Sequence, residues 1–440
     1  MATKVGMISL GCCKNRVDSE VLLGMLAKHG YEIVSDPAEA EIIFVNTCGF
    51  IESAKEESID AIFEMAEYKK TGRLKKLFVT GCLSQRYPDA LKQEIPEVDG
   101  LMGVSDYGRI FEFLKEADGG ARPMCTGDGE RFLKAERVLT TPSYSAYVNI
   151  RIGDGCSNRC TYCAIPLIRG PYRSRPYDDI LEECRALVAR GVTELIFIAQ
   201  DTSRYGNDFP AHTLLLPRLL REASEIPGVH WVRVLYCYPD TVTDELLREI
   251  RDNDKIVKYM DLPLQHIDDE LLKRMNRRGT SEEIRALIKK CHEYGILVRT
   301  TMIVGFPGET DAQFETLMNF VKESRFERLG AFTYSPEEGT PACTMPDQVD
   351  EDVKNQRLDD LMMAQQAISA EINESRVGSV VEALIDGEED GAYIARSALE
   401  APESDGVIRI AADKKLTPGE YVRVRITGAD AYDLMGVIEE

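Results

Sequence analysis

The stretch CSNRCTYC, residues 156–163, places Cys156, Cys160 and Cys163 within eight positions in a C-x3-C-x2-C spacing. It directly follows an apolar run at 146–152, so it reads as a loop leaving the C-terminal end of a strand. Five more apolar runs follow, at 195–199, 232–235, 259–262, 298–304 and 328–334. Helical patterns lie between them, at 178–190, 243–252, 281–294 and 311–324. Buried strands alternating with amphipathic helices predict a parallel sheet. Six such units are too few to close an eight-unit barrel, so the expected fold is an open (βα)6 half-barrel with its chemistry at the C-terminal strand ends. Three thiolates can hold three irons of a 4Fe–4S cube and leave the fourth open to a chelating substrate. Structural zinc usually takes a fourth Cys or His at short spacing, and none stands close here.

Upstream, the same alternation occurs on a smaller scale. Apolar runs at 5–10, 42–45 and 77–79 precede helical patterns at 17–29, 53–68 and 88–95. Asp18 and Ser19 are the capping candidates of the first helix. A cysteine follows each run: Cys12 in ISLGCCKN, Cys48 in FVNTCGF and Cys82 in FVTGCLSQR. The C-terminal ends of parallel strands lie along one sheet edge, so the three are expected to meet there as a second cluster site. Cys13 competes with Cys12 for the ligand role, and adjacent side chains diverge.

Downstream, residues 350–376 read as a polar helix. Short strand-like runs at 377–384, 392–396, 406–410 and 421–427 then predict a small antiparallel β-barrel of the kind used for binding. The expected domains are 1–115, a Gly/Pro/Ser/Thr-rich linker at 116–141, the half-barrel at 142–375 and the terminal barrel at 376–440. This fits a chain of 440 residues with 44% hydrophobic content. The net charge of −22 disfavours general binding of phosphate backbones. No apolar run is long enough to span a bilayer, the start carries no signal-peptide pattern, and twelve cysteines suit a reducing compartment. The expected location is cytoplasmic.

The motif, its position after the first strand and the six units behind it closely resemble the radical S-adenosylmethionine superfamily. SLGCCKNRVDSE, VNTCGFI, GCLSQRY and RCTYCAIPLIRGPYRSRP narrow the resemblance to the methylthiotransferases, whose terminal barrel is of the TRAM type. It covers essentially the whole chain in the same domain order. LGC-x-KN-x-VDSE and CAIP-x-IRG are similar to the ribosomal-protein branch, the RimO type, whereas the tRNA-modifying branch typically has GCQMN-like and CVVP-like segments. The resemblance implies two 4Fe–4S clusters and S-adenosyl-L-methionine as cofactors, with Cys12 rather than Cys13 as the first N-terminal ligand. It also implies reductive cleavage of S-adenosylmethionine and transfer of a methylthio group to the β-carbon of an aspartate in small-subunit ribosomal protein number twelve. An electron donor and a sulfur donor are the further partners.

Other candidates are weaker. Tyr162 fits the aromatic that the superfamily places beside the cofactor, and ordinary packing explains it equally well. Gln200 and Asp201 end the second strand of the half-barrel, and Gly305, Phe306 and Pro307 follow the fifth; these are the cofactor-contact candidates. Gln265 and His266 follow the fourth strand and, with Arg169 and Arg173, are the substrate-contact candidates; Arg175 belongs to the same basic stretch. Residues 376–440 hold seven Lys or Arg against fourteen Asp or Glu. That balance favours a basic protein partner over tRNA for the terminal barrel, although Tyr393, Tyr421 and Tyr432 offer stacking surfaces. The alternatives are a tRNA methylthiotransferase and a non-catalytic iron–sulfur RNA-binding protein.

Overall fold

The computed structural model describes residues 2–127, 129, 132–134, 136–140, 146–411 and 415–439. The first sheet contains β1 (Lys4–Ser9), β2 (Glu32–Ile33), β3 (Ile42–Thr47), β4 (Lys76–Gly81), β5 (Gly100–Met102) and β6 (Met124–Cys125), all parallel, in the order β2-β1-β3-β4-β5-β6. Its helices are α1 (Cys13–Lys28), α2 (Glu52–Thr71), α3 (Cys82–Arg86), α4 (Pro88–Glu94) and α5 (Ile110–Asp118). Two expectations change here. The 116–141 stretch is not all linker, because α5 runs into it and β6 pairs with β5; two residues are too few to carry a periodic signal. The end of that stretch, around 141–145, lies outside the described residues.

The helix expected at 17–29 instead starts at Cys13, with Cys12 as its N-cap. Asp18 and Ser19 are buried inside it. The reason is that α1 is buried on two sides. Leu22 and Leu26 pack into the core under its own sheet, while Val17 and Val21 join a core shared with the half-barrel and the terminal barrel. A helix enclosed in this way loses the one-sided pattern by which its ends are read.

The middle region begins with β7 (Tyr147–Arg151), the two-residue β8 (Gly153–Asp154), α6 (Ile165–Arg169) and β9 (Arg173–Ser174). It continues through α7 (Tyr177–Val188), β10 (Glu194–Ile198), α8 (Leu216–Ser224), β11 (Trp231–Val234), α9 (Asp244–Asp252), β12 (Tyr259–Asp261), α10 (Asp269–Arg274), α11 (Ser281–Glu293), β13 (Leu297–Val304), α12 (Asp311–Ser324) and β14 (Arg328–Thr333). The six long strands form two parallel three-stranded sheets, β7-β10-β11 and β12-β13-β14. The Val232–Ile256 bridge and the Cys237 N–H to Asp261 C=O bond (2.9 Å) connect them. This is the expected half-barrel. Val148, Ile150, Leu195, Phe197, Val232, Val234 and Met260 pack outward against the helices. The alternate residues Tyr147, Ile196, Trp231 and Tyr259 form the inner core.

After α13 (Glu351–Glu374), the strands β15 (Val380–Glu389), β16 (Ala392–Ser397), β17 (Ile408–Ala411), β18 (Tyr421–Ala429) and β19 (Leu434–Ile438) close a barrel in the order β15-β16-β17-β19-β18. Four of its five pairings are antiparallel, and β17–β19 is parallel. Leu384 and Ala401 of this barrel pack with Tyr147, Trp231 and Tyr259, the first residues of three half-barrel strands. The small barrel therefore caps the N-terminal mouth of the half-barrel and leaves the C-terminal strand ends to the first domain.

A buried charge cluster fastens that cap. Glu194, fully buried, pairs with Arg233 at 2.9 Å and with Arg396 of the small barrel at 2.5 Å; Arg396 also reaches Asp386 at 2.9 Å. Burial pushes the Glu194 carboxyl up, but Arg396 and Arg233 together hold it below the ordinary carboxylate value. A depressed folded pKa contributes stability that is full above the ordinary glutamate pKa of about 4.3 and is lost as pH falls through the lower folded value. Glu194→Gln should cost about 3 kcal/mol at neutral pH by leaving the buried Arg233 guanidinium uncompensated and Arg396 with Asp386 alone. It should also flatten the acid limb of stability, read as the denaturant midpoint against pH.

Candidate active site between two strand edges

Strands β1, β3 and β4 are neighbours with their ends in register, Ser9 opposite Asn46 and Thr47 opposite Gly81. Cys12, Cys48 and Cys82 each follow one of these ends. The loops are packed against one another. A Cβ built on Gly11 would lie 2.9 Å from the Cys48 Cβ. One on Gly49 would lie 2.8 Å from the Leu83 backbone and 2.9 Å from the Cys82 carbonyl carbon. Only glycine permits approaches this close. Burial pushes the Cys82 thiol up to about 12, with Arg169 opposing and Cys12 and Cys48 adding to the rise. Cys48 is likewise raised by burial, and Cys12 contributes. Cys13 diverges from this group: its Sγ lies 3.5 Å from the Tyr236 hydroxyl across the domain boundary.

The second triplet sits in the loop between β8 and α6. Burial pushes Cys156 up to about 11 and raises Cys163 further, with the neighbouring thiols adding to both. The loop is latched from several sides. The Cys156 N–H donates to the Gly170 carbonyl (3.0 Å), the Thr161 N–H to Met275 (3.0 Å) and its hydroxyl to the Arg274 carbonyl (2.9 Å). Asn276 donates to the Asn158 and Arg159 carbonyls at 3.2 and 2.9 Å. Arg277 reaches the Tyr162 hydroxyl at 3.2 Å and the Cys160 sulfur at 4.0 Å, while its guanidinium covers the Tyr238 ring. Sequence reading missed Arg277, Asn276 and Tyr238, because nothing in their local pattern marks residues about 75–120 positions away as supports of the loop.

The other expected residues divide. Asp201 is buried and accepts from Asn158 at 2.8 Å, Arg204 at 2.9 Å and Ser203 at 3.1 Å. Gln200 donates to Asp154 at 3.3 Å, and its buried Oε1 has no partner among the described residues. Tyr162 packs beside Phe306, whose ring is fully buried edge-on to Tyr334. Phe306 thus supports the cluster loop from behind, and Gly305 gives its space to the stem of Lys354; Pro307 is buried beside them. Gln265 holds a left-handed backbone (φ 73) at the end of β12, as Tyr236 does (φ 64) at the end of β11. Strained backbone of this kind, costing of order 1–3 kcal/mol, concentrates at functional sites.

Two substrate candidates are held in buried networks. His266 is fully buried; its Nδ1 accepts from the Asp268 N–H at 3.0 Å and its Nε2 therefore donates to Glu309 at 3.1 Å, beside Arg357. It fixes Asp268, the N-cap of α10, and closes a core network. Arg169, 1% exposed, pairs with Asp18 at 2.8 Å and Asp154 at 3.0 Å, and donates to Asn15 at 2.7 Å and towards the Cys82 sulfur at 3.8 Å. Its charge is used between domains, where Arg151 also meets Asp18. Arg175 pairs with Glu183, and Arg173 is exposed.

Both cysteine triplets thus face the region where the sheet edge of the first domain meets the C-terminal strand ends of the half-barrel. Among the described residues, no three His, Cys, Asp or Glu side chains converge tightly enough for a single metal ion. Yet, besides burial, Cys82 is raised by Cys12 and Cys48, and Cys163 by Cys160 and Cys156. Thiol donors near enough to interact and too spread for one ion fit a multinuclear iron–sulfur guest.

Family models agree with this division. The Radical SAM superfamily matches residues 150–321, Uncharacterized protein family UPF0004 residues 4–103, and the TRAM domain residues 377–438. The ribosomal protein uS12 methylthiotransferase RimO of Thermoanaerobacter sp. (strain X514) is 50% identical over 435 residues, covering 98% of this chain and 99% of that protein. The chain belongs to the RimO family. A second RimO relative, from Clostridium botulinum (strain Loch Maree / Type A3), is 47% identical over 99% of this chain and 98% of its own. The radical S-adenosylmethionine methyltransferase TsrM from Kitasatospora setae, solved with cobalamin and a [4Fe-4S] cluster, shares the fold at TM-score 0.57 and 17% identity over 90% of this chain and 81% of its own. The RimO sequences span all three regions of the present chain.

Proposed function

We propose that this chain is a radical S-adenosylmethionine methylthiotransferase that modifies the β-carbon of an aspartate in ribosomal protein uS12. The observation that carries the reading is the pair of thiol triplets facing one cleft, in a chain half identical to RimO over its full length. Cys12, Cys48 and Cys82 would hold one 4Fe–4S cluster; Cys156, Cys160 and Cys163 would hold the other. When bound, the half-barrel cluster supplies an electron for cleaving S-adenosylmethionine into a hydrogen-abstracting radical, and the N-terminal cluster supplies the site of sulfur transfer.

The residues of the chain position and enclose. Arg277 and Asn276 fix the loop bearing the second triplet. Tyr162, within that loop, packs beside Phe306, and Gln200, with a buried acceptor left open, suits the amino end of the cofactor. The Asp18–Arg169–Asp154 pairs hold the two edges at a fixed separation, as a transfer between two centres demands. An electron donor and a sulfur donor are required, and we assign them to partners outside the chain.

A protein substrate is favoured over tRNA by the terminal barrel. Tyr421, one of the stacking candidates, is packed edge-on to Trp231 and against His230. Arg425 and Arg409 are paired with Glu439 and Glu389. Those two cations are thereby neutralised where a phosphate backbone would need them, and Arg423 beside them stays exposed. No helix among the described residues is long and apolar enough to cross a membrane, and a ribosomal substrate supports a cytoplasmic location. The test in cells is uS12 isolated from a strain lacking this enzyme: its aspartate should be unmodified, and should regain the methylthio group when the enzyme is restored. An unchanged uS12 in both strains would refute the reading.

A further inference from the structure

Lys14 stands out at the meeting of the two edges. It is 5% exposed, two residues after Cys12 on the first turn of α1. Its Nζ lies 2.8 Å from the centroid of the Tyr236 ring at the end of β11. Among the described residues no hydrogen bond or ion pair engages that nitrogen. The nearby charges are already engaged. Asp261 accepts from the Tyr236 N–H at 2.9 Å and from Arg299 at 3.2 Å, and Arg169 is held by Asp18 and Asp154. The helix end adds to the same field: α1 has no side-chain cap and no acidic residue in its first turn. A buried lysine head with no hydrogen-bond or ion-pair partner of its own is costly to keep unless an anion visits it.

We propose that Lys14, aided by the N-terminus of α1, binds the side-chain carboxylate of the substrate aspartate and so selects an acidic residue for modification. This deepens the functional reading above and rests on it. The position suits the role, because Lys14 lies between the Cys12 loop and the strand ends of the half-barrel. A carboxylate held there leaves its β-carbon next to both. The Tyr236 face orients the ammonium, and the strained Tyr236 backbone brings that ring into place.

The test is binding of two uS12 peptides to the reconstituted full-length enzyme without oxygen, one with the target aspartate and one with asparagine in its place. Wild type should prefer the aspartate peptide. Lys14→Met should weaken that peptide at least tenfold and erase the preference, with iron content and both electron paramagnetic resonance signals intact. Lys14→Arg should keep part of the preference, which separates charge from folding. A Lys14→Met enzyme that still prefers aspartate overturns the proposal. So does one whose loss falls on S-adenosylmethionine affinity, or on N-terminal iron with peptide binding intact, since Lys14 would then serve the cofactor or balance the thiolates. A wild-type enzyme that binds neither peptide would refute the uS12 reading and this proposal together.

Discussion

Replacing Cys156, Cys160 and Cys163 together by alanine abolishes cleavage of S-adenosylmethionine and all methylthio transfer, while leaving about half of the iron. The argument is structural. The loop that carries these thiols is held by contacts that do not involve sulfur: Thr161 to Met275 and Arg274, Asn276 to Asn158 and Arg159, and Cys156 N–H to Gly170. The half-barrel core behind it is complete without the cysteines. The triple variant should therefore fold and keep the first domain and its share of iron. Iron counts, absorption in the charge-transfer region and 5′-deoxyadenosine formation with dithionite read the three consequences. Residual 5′-deoxyadenosine would remove the half-barrel triplet from the cleavage site.

The second large effect belongs to Cys12, Cys48 and Cys82. Their joint replacement by alanine should remove the other half of the iron and end methylthio transfer. Reductive cleavage should survive, because this triplet lies in a separately cored domain. Cys13→Ala is the control. Its Sγ approaches Tyr236 rather than the other thiols, so both shares of iron should remain. Iron unchanged in the triple variant would eliminate the N-terminal site, and iron lost in Cys13→Ala would exchange the roles of the two neighbours.

The cysteines were legible because each follows a strand, and parallel strand ends meet along one edge whatever the intervening sequence. Cys12 and Cys13 could not be separated by that rule; the start of α1 separates them by turning one thiol to the sheet edge and the other towards β11. The same helix hid Lys14. Buried on both faces, α1 lacks the one-sided pattern from which its first turn is read, so a lysine that reads as a solvated residue lies in a cleft. The partners of Arg169 and His266 were not legible: Asp18, Asp154 and Glu309 are 15–151 residues away and nothing local announces them. The closing strand β19, paired on both sides, was missed, and so was the two-residue β6, because a short edge element depends on its neighbours for definition. The cap formed by the small barrel on the half-barrel rests on Glu194 and Arg396, a pairing 202 residues apart that no local pattern contains.

The central claim is that one cleft serves two thiol-held clusters in the modification of uS12. Its most direct test is mass spectrometry of purified uS12 and of a tRNA anticodon stem-loop, each incubated without oxygen with the reconstituted enzyme, S-adenosylmethionine and dithionite. The account predicts one methylthio group on a single uS12 aspartate, an unmodified RNA, and loss of the mark in either cysteine triple variant. A methylthiolated adenosine with unmodified uS12, or a mark on uS12 that survives loss of either triplet, would contradict it.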